Sequence, residues 1–533
     1  MERSIIVGAG LAGLSAAIAL AEGGAVSELI SAQPSERAQS VLAEGGVNAA
    51  LDLMGEGDSP AQHFEDSLRG GVYLADAAAL RDLTEAAPGI VRRLAALGVP
   101  FQSENGRMVQ RNFGGQKKKR TAFVKSGTGK QLMTALIDRA RKSEAEGLIR
   151  RWPAHELLDI LTENGACTGV RIRDRQSGEG WELYGPVILC CGGLNGLFPG
   201  LTTGTTQNSG DAAAAAFAAG ARMANLEMIQ YHPTTFAIPG KRCLVSEAAR
   251  GEGGRLFVRR GGEDWYYMEE LYPEQGNLAP RDVVSRETWR LLRRGDCGER
   301  AYLDLRALPK RIWRERLSDL REECVHYLHI DPAKEPLPVE PGIHYFMGGV
   351  DVDRRHRSSL PGLYAAGECA CQYHGANRLG GNSMLGAIYG GQTAARECLA
   401  RPDEVPAREK RSLGPLPEPD APGAEARAAE LGSILGEALG IERDAAGLTR
   451  GLAAVDRLLA APLPERERRR ALLGKAMLLS ALERRESRGA QLRSDYPERD
   501  DGHWRAATLA EMKDGKIVMG RRPVEENGDE AAV

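Results

Sequence analysis

Residues 373–384 combine groups that could contact both a flat cofactor and an acidic substrate. The stretch reads Tyr-His-Gly-Ala-Asn-Arg-Leu-Gly-Gly-Asn-Ser-Met and follows a short apolar run at 362–368. Its glycines let the backbone approach a planar ring, and a helix opening near Gly381 would direct unpaired N–H groups at an electron-rich ring system. The guanidinium of Arg378 could bind a carboxylate through two hydrogen bonds. The stretch therefore favours a redox site where a flavin meets an acidic substrate.

A second glycine-rich turn lies near the N-terminus. It connects a strand signal at 4–7 to an alanine-rich helix ending at about residue 21, and it consists of Gly8, Ala9, Gly10, Leu11, Ala12 and Gly13. GxGxxG between a strand and a helix is typical of a dinucleotide site, where the glycines admit a pyrophosphate and close helix packing. The second strand, 27–30, ends at Ser31 and not at the acidic residue that usually holds the adenosine ribose. The turn therefore predicts dinucleotide binding, and Ser31 makes NAD a less favoured ligand.

The order of the remaining elements indicates an insertion within a nucleotide-binding domain. Helical periodicity covers 60–100, and a buried strand ending in glycines is expected at 187–193. From 221 to 342 the pattern changes to short mixed strands and helices, and a strand followed by Gly-Glu returns at 363–368. Since the chain leaves the sheet and comes back, we expect 221–342 to be inserted between two halves of one domain.

The C-terminal part is predicted to be helical. A Pro-, Ala- and Glu-rich stretch at 402–427 is expected to be a surface linker, and apolar positions at 3–4 spacing predict helices over 428–490. We expect the arginine run 466–470 to lie on a solvated helix face. The basic run Lys117, Lys118, Lys119 and Arg120 is expected to be a solvated loop, with partner docking or substrate steering as the alternative.

Composition limits the function classes. The chain has 533 residues, of which 42% are hydrophobic and 27% charged, and its net charge of −3 gives no general attraction to nucleic acid or membranes. Nine cysteines without a CxxC pair argue against a metal site, an iron–sulfur cluster or a disulfide framework, and they suit a reducing compartment. There is no charged leader, and no apolar run reaches the roughly 18 residues of a membrane span. We therefore expect a cytoplasmic protein that reaches a membrane only through a partner.

Several motifs occur together in a family order. They lie at 43–46, 231–234, 246–254, 281–286, 344–349, 374–384, 487–490 and 495–501. Together they resemble the flavoprotein subunit of fumarate reductase and succinate dehydrogenase, a family that includes L-aspartate oxidase. The resemblance covers nearly the whole chain. It implies an α/β fold with a Rossmann-like FAD-binding domain at 1–220 and 343–402, an inserted α+β capping domain at 221–342, a helical domain at 403–510 and a C-terminal tail at 511–533.

The resemblance also implies a site for a C4 dicarboxylate. In it, His232 and Ser246 bind one carboxylate, and His344 and Arg378 bind the other. Hydride passes between flavin N5 and one substrate carbon, while Arg281 exchanges a proton with the other carbon. Glu247 and Arg250 form the proton relay, and His232 is also counted among the catalytic residues. The alternative is that Arg281 only binds and polarises the substrate, because arginine is a very weak acid in water.

Positions matching the family's FAD contacts form a larger set, and no metal ligand is among them. Glu368 is expected to accept a hydrogen bond from a ribityl hydroxyl. The full set is Gly8, Ala9, Gly10, Leu11, Ala12, Gly13, Ser31, Gln39, Ser40, Ala43, Glu44, Gly45, Gly46, Glu156, Asp211, Tyr345, Glu368, Arg378, Leu379, Asn382, Ser383 and Met384.

Two departures from the family pattern affect the function. Gln39 stands where membrane-bound members carry the histidine that attaches FAD covalently, and an amide cannot form that bond. FAD is therefore predicted to be non-covalent, which favours fumarate reduction over succinate oxidation. Phe113 stands where aspartate oxidases carry a glutamate thought to meet the substrate ammonium. The 347–349 sequence Met-Gly-Gly also looks more like fumarate reductase.

Three functions remain open. The first is a fumarate reductase or succinate dehydrogenase flavoprotein that exchanges electrons with a separate iron–sulfur protein, in a complex that could lie on the inner face of a membrane. The second is L-aspartate oxidase, which converts aspartate to iminoaspartate. The third is a non-enzymatic, FAD-stabilised protein that docks a partner or nucleic acid through residues 117–120. The sequence favours the first.

Overall fold

Five parallel strands form the central sheet that positions the N-terminal glycine turn. The computed structural model describes residues 3–125, 127–295, 297–401, 405, 408–419 and 422–525. The strand order across the sheet is Leu363–Ala365, Val187–Leu189, Arg3–Val7, Val26–Ser31 and Ile149–Pro153. The strand after the insertion thus pairs with a strand before it, as the returning pattern at 363–368 predicts.

Small residues let two helices pack closely on this sheet. The helix Leu11–Glu22 packs against Asn382–Ala400, where a Cβ on Gly391 would lie 2.2 Å from the carbonyl oxygen of Ala12. Alanine and glycine at this contact therefore bring the two backbones together, and they align both helix N-termini towards the same end of the sheet. The other helices that cover this part are Pro60–Gly70, Ala77–Ala96, Thr128–Ala145 and Asp211–Ala218.

The segment predicted as an insertion folds around a six-stranded sheet with its own apolar core. The strand order is Lys241–Leu244, Ile229–Ile238, Leu337–Phe346, Cys297–Asp304, Arg255–Arg260 and Glu263–Trp265. Its helices are Glu247–Gly251, Tyr267–Leu271, Arg281–Arg293, Lys310–Glu315 and Ser318–Leu328. The separate core supports an independent capping unit, although its boundaries stay a prediction.

Smaller sheets complete the molecule. A four-stranded sheet contains Arg411–Pro415, Glu179–Tyr184, Ala166–Asp174 and His155–Glu163. Short strands pair at Val47–Asn48, Thr121–Ala122 and Gln110–Arg111, at Ser103–Glu104 and Arg107–Met108, and at Glu442–Arg443 and Leu492–Arg493. The expected linker 402–427 therefore contains a strand, and seven of its residues (402–404, 406, 407, 420 and 421) lie outside the described residues.

The C-terminal part begins with helices and ends in a hairpin. The helices are Ala424–Ala438, Ala445–Ala460, Glu465–Glu483 and Asp501–Trp504. Residues 511–523 of the C-terminal tail implied by the resemblance are strand and turn, because Ala506–Lys513 and Lys516–Pro523 pair as an antiparallel hairpin. This hairpin joins the sheet of Met223–Ala224, Gly349–Asp351 and Ala370–Cys371. Residues 526–533 of the predicted tail lie outside the described residues.

The basic run 117–120 is solvated at Lys117 and Lys119, which are exposed as expected, but not at Arg120. Arg120 is fully buried, and its Nη2 lies 2.9 Å from Asp58 Oδ1 and 2.8 Å from Asp66 Oδ2. Lys118 and Lys119 bind Glu56 in the same loop. Charge pairing with the 52–58 loop therefore explains the cluster. Three arginines of 466–470 (Arg466, Arg469 and Arg470) are also paired, with Glu156 and Asp211 among their partners.

Among the helices in the described part of the chain, none combines the length and apolar character needed to cross a bilayer.

Candidate active site

A cavity of about 960 Å³ opens at the carboxyl ends of the parallel strands. Its walls come from the glycine turns, the capping sheet and the C-terminal helices. Arg466 and Arg470 are the residues that line it from the helix Glu465–Glu483. Ligands of open α/β sheets bind at this edge, so the position agrees with a nucleotide-type cofactor. Most predicted cofactor positions line this cavity, whereas Gly13, Leu379 and Asn382 do not.

The N-terminal turn has the geometry that the GxGxxG sequence predicts. Gly8 has φ +112°, and a Cβ there would lie 2.2 Å from the carbonyl oxygen of Cys190. Gly13 packs against the turn itself, since a Cβ there would lie 1.8 Å from the Gly8 oxygen. The exposed N-terminus of the Leu11–Glu22 helix thus faces the cavity, where it can stabilise negative charge.

A second helix N-terminus faces the same cavity at Gly381. This residue caps the helix Asn382–Ala400 with φ +84°, and a Cβ would lie 2.1 Å from Asn48 Oδ1. Ser383 and Met384 line the cavity. Asn382 instead turns inward, where its amide contacts Asn48, His63 and Ser67. Asn382 therefore fixes the turn and does not reach the cavity.

The acidic positions of the cofactor end lie in different environments. Glu368 accepts a hydrogen bond from the Phe346 N–H at 3.1 Å, and burial raises the pKa of Glu368 to about 7. Asp211 and Glu156 line the cavity but are paired with arginines of the helix Glu465–Glu483. They therefore attach the C-terminal helices to the cavity wall.

Gln39 is held by the opposite wall. Its Oε1 accepts a hydrogen bond from the Thr205 N–H at 2.6 Å. Beyond it, Ser40 Oγ accepts from the Leu11 N–H at 3.2 Å, which joins the 39–46 segment to the first helix turn. Burial raises the pKa of Glu44 to about 8, and repulsion from Glu323 adds to this.

Two neutral histidines and an arginine surround the other end of the cavity. The rings of His232 and His344 lie 5.2 Å apart, and burial, followed by the charge of Arg281, holds the pKa of each well below its ordinary value. His232 Nε2 is buried without a hydrogen-bond partner. Arg378 stacks over Tyr345 at 4.2 Å, and burial lowers its pKa to about 10. Unpaired polar groups of this kind predict a polar ligand.

Arg281, Glu247 and Arg250 form a continuous ionic chain. Glu247 Oε2 lies 3.0 Å from Arg281 Nε and 2.6 Å from its Nη2, and Glu247 Oε1 lies 3.1 Å from Arg250 Nη2. Burial alone would raise the pKa of Glu247, but the two guanidiniums outweigh it and lower the pKa to about 2. Arg281 and Glu247 line the cavity, and Arg250 lies behind them. Ser246 also lines the cavity, where it caps the helix that carries Glu247.

Sequence reasoning missed two residues of this end. Gln230 Oε1 lies 3.1 Å from Arg281 Nη1 and 3.1 Å from Arg378 Nη2. Thr203 Oγ1 lies 2.8 Å from His344 Nδ1, which orients that ring. Gln230 stands two positions before His232 on one strand, so the two-residue period could have indicated it. Nothing in the sequence near Thr203 indicated its role.

Phe113 lies in an apolar part of the wall beside the ionic chain. It is almost fully buried, and Arg111 stacks over its ring at 5.0 Å. A Cβ on Gly380 would lie 3.1 Å from the Phe113 ring and 2.5 Å from Glu247 Oε2. This position therefore offers no charge to a substrate amine.

These residues fit FAD. The two glycine turns bring helix N-termini to the cavity, where the pyrophosphate and the flavin ring would lie, and Glu368, Ser31 and the 39–46 segment offer polar contacts along the cavity. Within the described residues, no group of three or more His, Cys, Asp or Glu side chains could hold a metal ion.

Comparisons with known proteins agree with this architecture. A family model described as an FAD binding domain matches residues 3–384, and one described as the C-terminal part of fumarate reductase flavoproteins matches 468–528. The succinate dehydrogenase flavoprotein subunit of Bacillus subtilis is 35% identical, over 95% of this chain and 93% of its own length. L-aspartate oxidase from Streptomyces coelicolor is 34% identical, over 96% and 92%.

A solved structure of an E. coli quinol fumarate reductase variant superposes with a TM-score of 0.86 at 29% identity and covers 100% of both chains. The architecture, the FAD-type cavity and the full-length similarity lead to one conclusion. The chain is a flavoprotein oxidoreductase that belongs to the family of succinate dehydrogenase and fumarate reductase flavoprotein subunits.

Proposed function

We propose that this protein is the FAD-containing subunit of a fumarate reductase or succinate dehydrogenase and acts on a C4 dicarboxylate. The observation that carries the proposal is the Arg281–Glu247–Arg250 chain, which reaches the cavity beside two neutral histidines and Arg378. Cations and hydrogen-bond donors around one small volume suit a dianion with a carboxylate at each end.

Side chains around this end of the cavity bind and polarise the substrate. Ser246 and His232 bind one carboxylate, while His344 and Arg378 bind the other. Both histidines are neutral, so they act as hydrogen-bond donors or acceptors, and Arg281 and Arg378 supply the positive charge. Hydrogen bonds and positive charge at both carboxylates withdraw electron density from the central double bond of fumarate.

Bound FAD would supply the hydride that adds to one alkene carbon. Arg281 donates a proton to the other carbon, so fumarate, a hydride and a proton give succinate. Glu247 accepts two hydrogen bonds from Arg281 and one from Arg250. This carboxylate can therefore pass a proton from the Arg250 side back to Arg281. Arg281 is 8% exposed and Glu247 3%, so little water competes with this transfer.

The electrons are exchanged with a separate iron–sulfur protein. Among the described residues no side-chain cluster could hold a metal, and the B. subtilis relative is named as a subunit. FAD is held without a covalent bond, because Gln39 offers no nucleophile and its amide oxygen binds Thr205.

Stopped-flow absorbance tests the proposal. The holoenzyme, chemically reduced without oxygen, is mixed with fumarate, and rapid reoxidation of the flavin is expected. Arg281→Lys should retain FAD and slow reoxidation by roughly 10²- to 10⁴-fold, the usual contribution of general acid catalysis. If fumarate leaves the wild-type flavin reduced, the substrate assignment is wrong. If Arg281→Lys reacts at the wild-type rate, the acid is wrong.

The second candidate is L-aspartate oxidase, favoured by the Streptomyces relative. The uncharged side chain of Phe113 argues against it, because that side chain offers no partner to a substrate ammonium. Wild-type protein should therefore give no peroxide with L-aspartate and oxygen. Phe113→Glu should create detectable aspartate oxidation, whereas Phe113→Leu, which stays apolar, should not. Wild-type turnover of aspartate would place this candidate first.

A further inference from the structure

A small apolar cluster joins the segments that carry the substrate residues. Tyr345 directly follows His344, and Ala376 lies two positions before Arg378. A turn from the C-terminal part of the chain, residues 488–490, packs against this cluster through Ala490. The buried members are Leu74, Met228, Tyr345, Met347 and Ala376, and Val72, Ala490 and Val524 pack against them.

The backbone of Ala376 is held on both sides. Its N–H donates to the Gly71 oxygen at 2.9 Å, and its carbonyl accepts from the Ala490 N–H at 2.9 Å. Gly489 has φ +55°, and a Cβ there would lie 2.5 Å from the Ala376 oxygen. Only glycine therefore allows the 488–490 turn to approach the segment that leads into Arg378.

Arg488 fixes the same region from a second direction. Its Nη1 donates to the Val72 oxygen at 2.7 Å, and its Nε and Nη2 bind Glu486 at 2.7 and 2.9 Å. Val72 and Tyr73 have φ of 52° and 57°, which is rare for a β-branched residue such as valine and for a bulky residue such as tyrosine. Such conformations persist where surrounding contacts hold them, and they are common at functional sites.

We infer that the 488–490 turn positions Arg378 for the substrate carboxylate, although none of its three residues lines the cavity. The turn holds Ala376 through hydrogen bonding and close packing, and it holds the neighbouring 71–73 backbone through Arg488. The C-terminal segment thereby sets the geometry of a substrate contact made elsewhere. The inference rests on the proposed dicarboxylate function, and it makes these three residues positioning residues.

Gly489→Ala tests the inference in the holoenzyme. The added methyl displaces Ala376 and with it Arg378, and misplacement by about 1 Å can change rates on the order of 10²-fold. We expect the KM for fumarate and the inhibition constant of malonate to rise at least about 10-fold, with kcat less affected. Gly515→Ala is the matched control, because Gly515 has φ +74° and no atom within 4 Å of an added Cβ. It carries the same backbone strain without the collision and should keep the wild-type KM.

Arg488→Lys provides a second variant should Gly489→Ala fail to fold. Lysine keeps the charge beside Glu486 but cannot serve Val72, Glu486 and Asp501 together, so a rise of KM by about 3- to 10-fold is expected. Assays at 25 °C on variants with full FAD content exclude a loss of fold. A KM within twofold of wild type in folded Gly489→Ala, or in Arg488→Lys if the former is unfolded, would overturn the inference. Absence of fumarate turnover in the wild type would instead overturn the proposed function.

Discussion

At the residue scale, one amide oxygen lies between the two guanidiniums of the substrate end. Gln230 Oε1 accepts from Arg281 and from Arg378, both at 3.1 Å. Its NH₂ group donates to Asn377 Oδ1 at 2.8 Å and to the Arg378 oxygen at 2.7 Å, so these acceptors fix the orientation of the amide. A neutral acceptor relieves the repulsion of two cations without adding negative charge that would repel a dianion.

Glu247→Gln should separate binding from proton transfer. A neutral amide keeps the shape but cannot return a proton to Arg281, so we expect kcat for fumarate reduction to fall by roughly 10²- to 10⁴-fold with FAD retained. Steady-state assays with a reduced viologen donor measure this. Glu252→Gln is the matched control, because Glu252 pairs with Arg316 outside the cavity. An equal loss of kcat in both variants would contradict the role of Glu247 in the proton relay.

Substrate affinity should not depend on histidine protonation near neutral pH. The pKa values of His232 and His344 lie well below 6.5, so both stay neutral as pH falls from 8 to 6. The histidines should therefore add no pH dependence to the KM for fumarate over this range, in which Glu368 and Glu44, with pKa values of about 7 and 8, do titrate. For the same reason these residues cost stability as pH falls through 6.5, since only the unfolded chain binds their protons. A change of KM with an apparent pKa near 6.5 that disappears in His232→Asn or in His344→Asn would show that the replaced histidine is charged.

At the element scale, the ion pairs of Arg120 attach the 52–58 loop to the helix Pro60–Gly70. Arg120 binds Asp58 in the loop and Asp66 in the helix, and all three side chains are buried. The next residue, Thr121, pairs with Asn48 in the short strand Val47–Asn48, which precedes the 52–58 loop. The pairs therefore order the region beside the 43–46 motif.

Arg120→Met should destabilise the protein strongly. Removing the guanidinium breaks two buried ion pairs, and although Asp66 keeps its contact with Arg69, the loss of a buried partner costs about 3–5 kcal/mol. Arg141→Met is the control, because the ion pairs of Arg141 are exposed and such pairs contribute about 1 kcal/mol or less. Urea unfolding followed by circular dichroism measures both. A loss below about 1 kcal/mol in Arg120→Met would show that the buried pairs add little.

The sequence predicted local signals well and long-range pairing poorly. The strand–glycine–helix turns at 8–13 and at Gly381 were predictable because backbone geometry demands those residues locally. The C-terminal hairpin had a signal that we missed, since Asp514 and Gly515 between alternating apolar residues are typical of a hairpin turn. The partners of Arg120 and the Gln230 bridge depend on contacts between distant segments, and single-residue types do not indicate these.

At the scale of the whole molecule, the cavity exists only after all parts of the chain have come together. The first turn, the 39–46 segment, the capping strands and the helix at Asn382 each supply one wall. Glu156 and Asp211 connect the wall to the C-terminal helices through Arg466 and Arg470. A ligand in this cavity therefore stabilises the contacts between domains as well as each domain.

FAD should be removable without breaking a covalent bond. Acid precipitation should leave all flavin fluorescence in the supernatant, because Gln39 cannot form the link. Returning FAD to the apoprotein at about 100 times its dissociation constant should add about 2.7 kcal/mol to the free energy of unfolding. Flavin that remains with the precipitated protein would contradict non-covalent binding.

The pairing of Val187–Leu189 with Leu363–Ala365 also has a consequence for synthesis on the ribosome. About 170 residues must be translated between the two strands, which takes roughly 9–35 s at ordinary elongation rates. During this time the first strand is an unpaired sheet edge that could associate with other nascent chains. Because the cavity wall also needs Met384 and Ala387, nascent chains that stop before these residues should not retain the cofactor, and loading follows the emergence of the second half of the sheet.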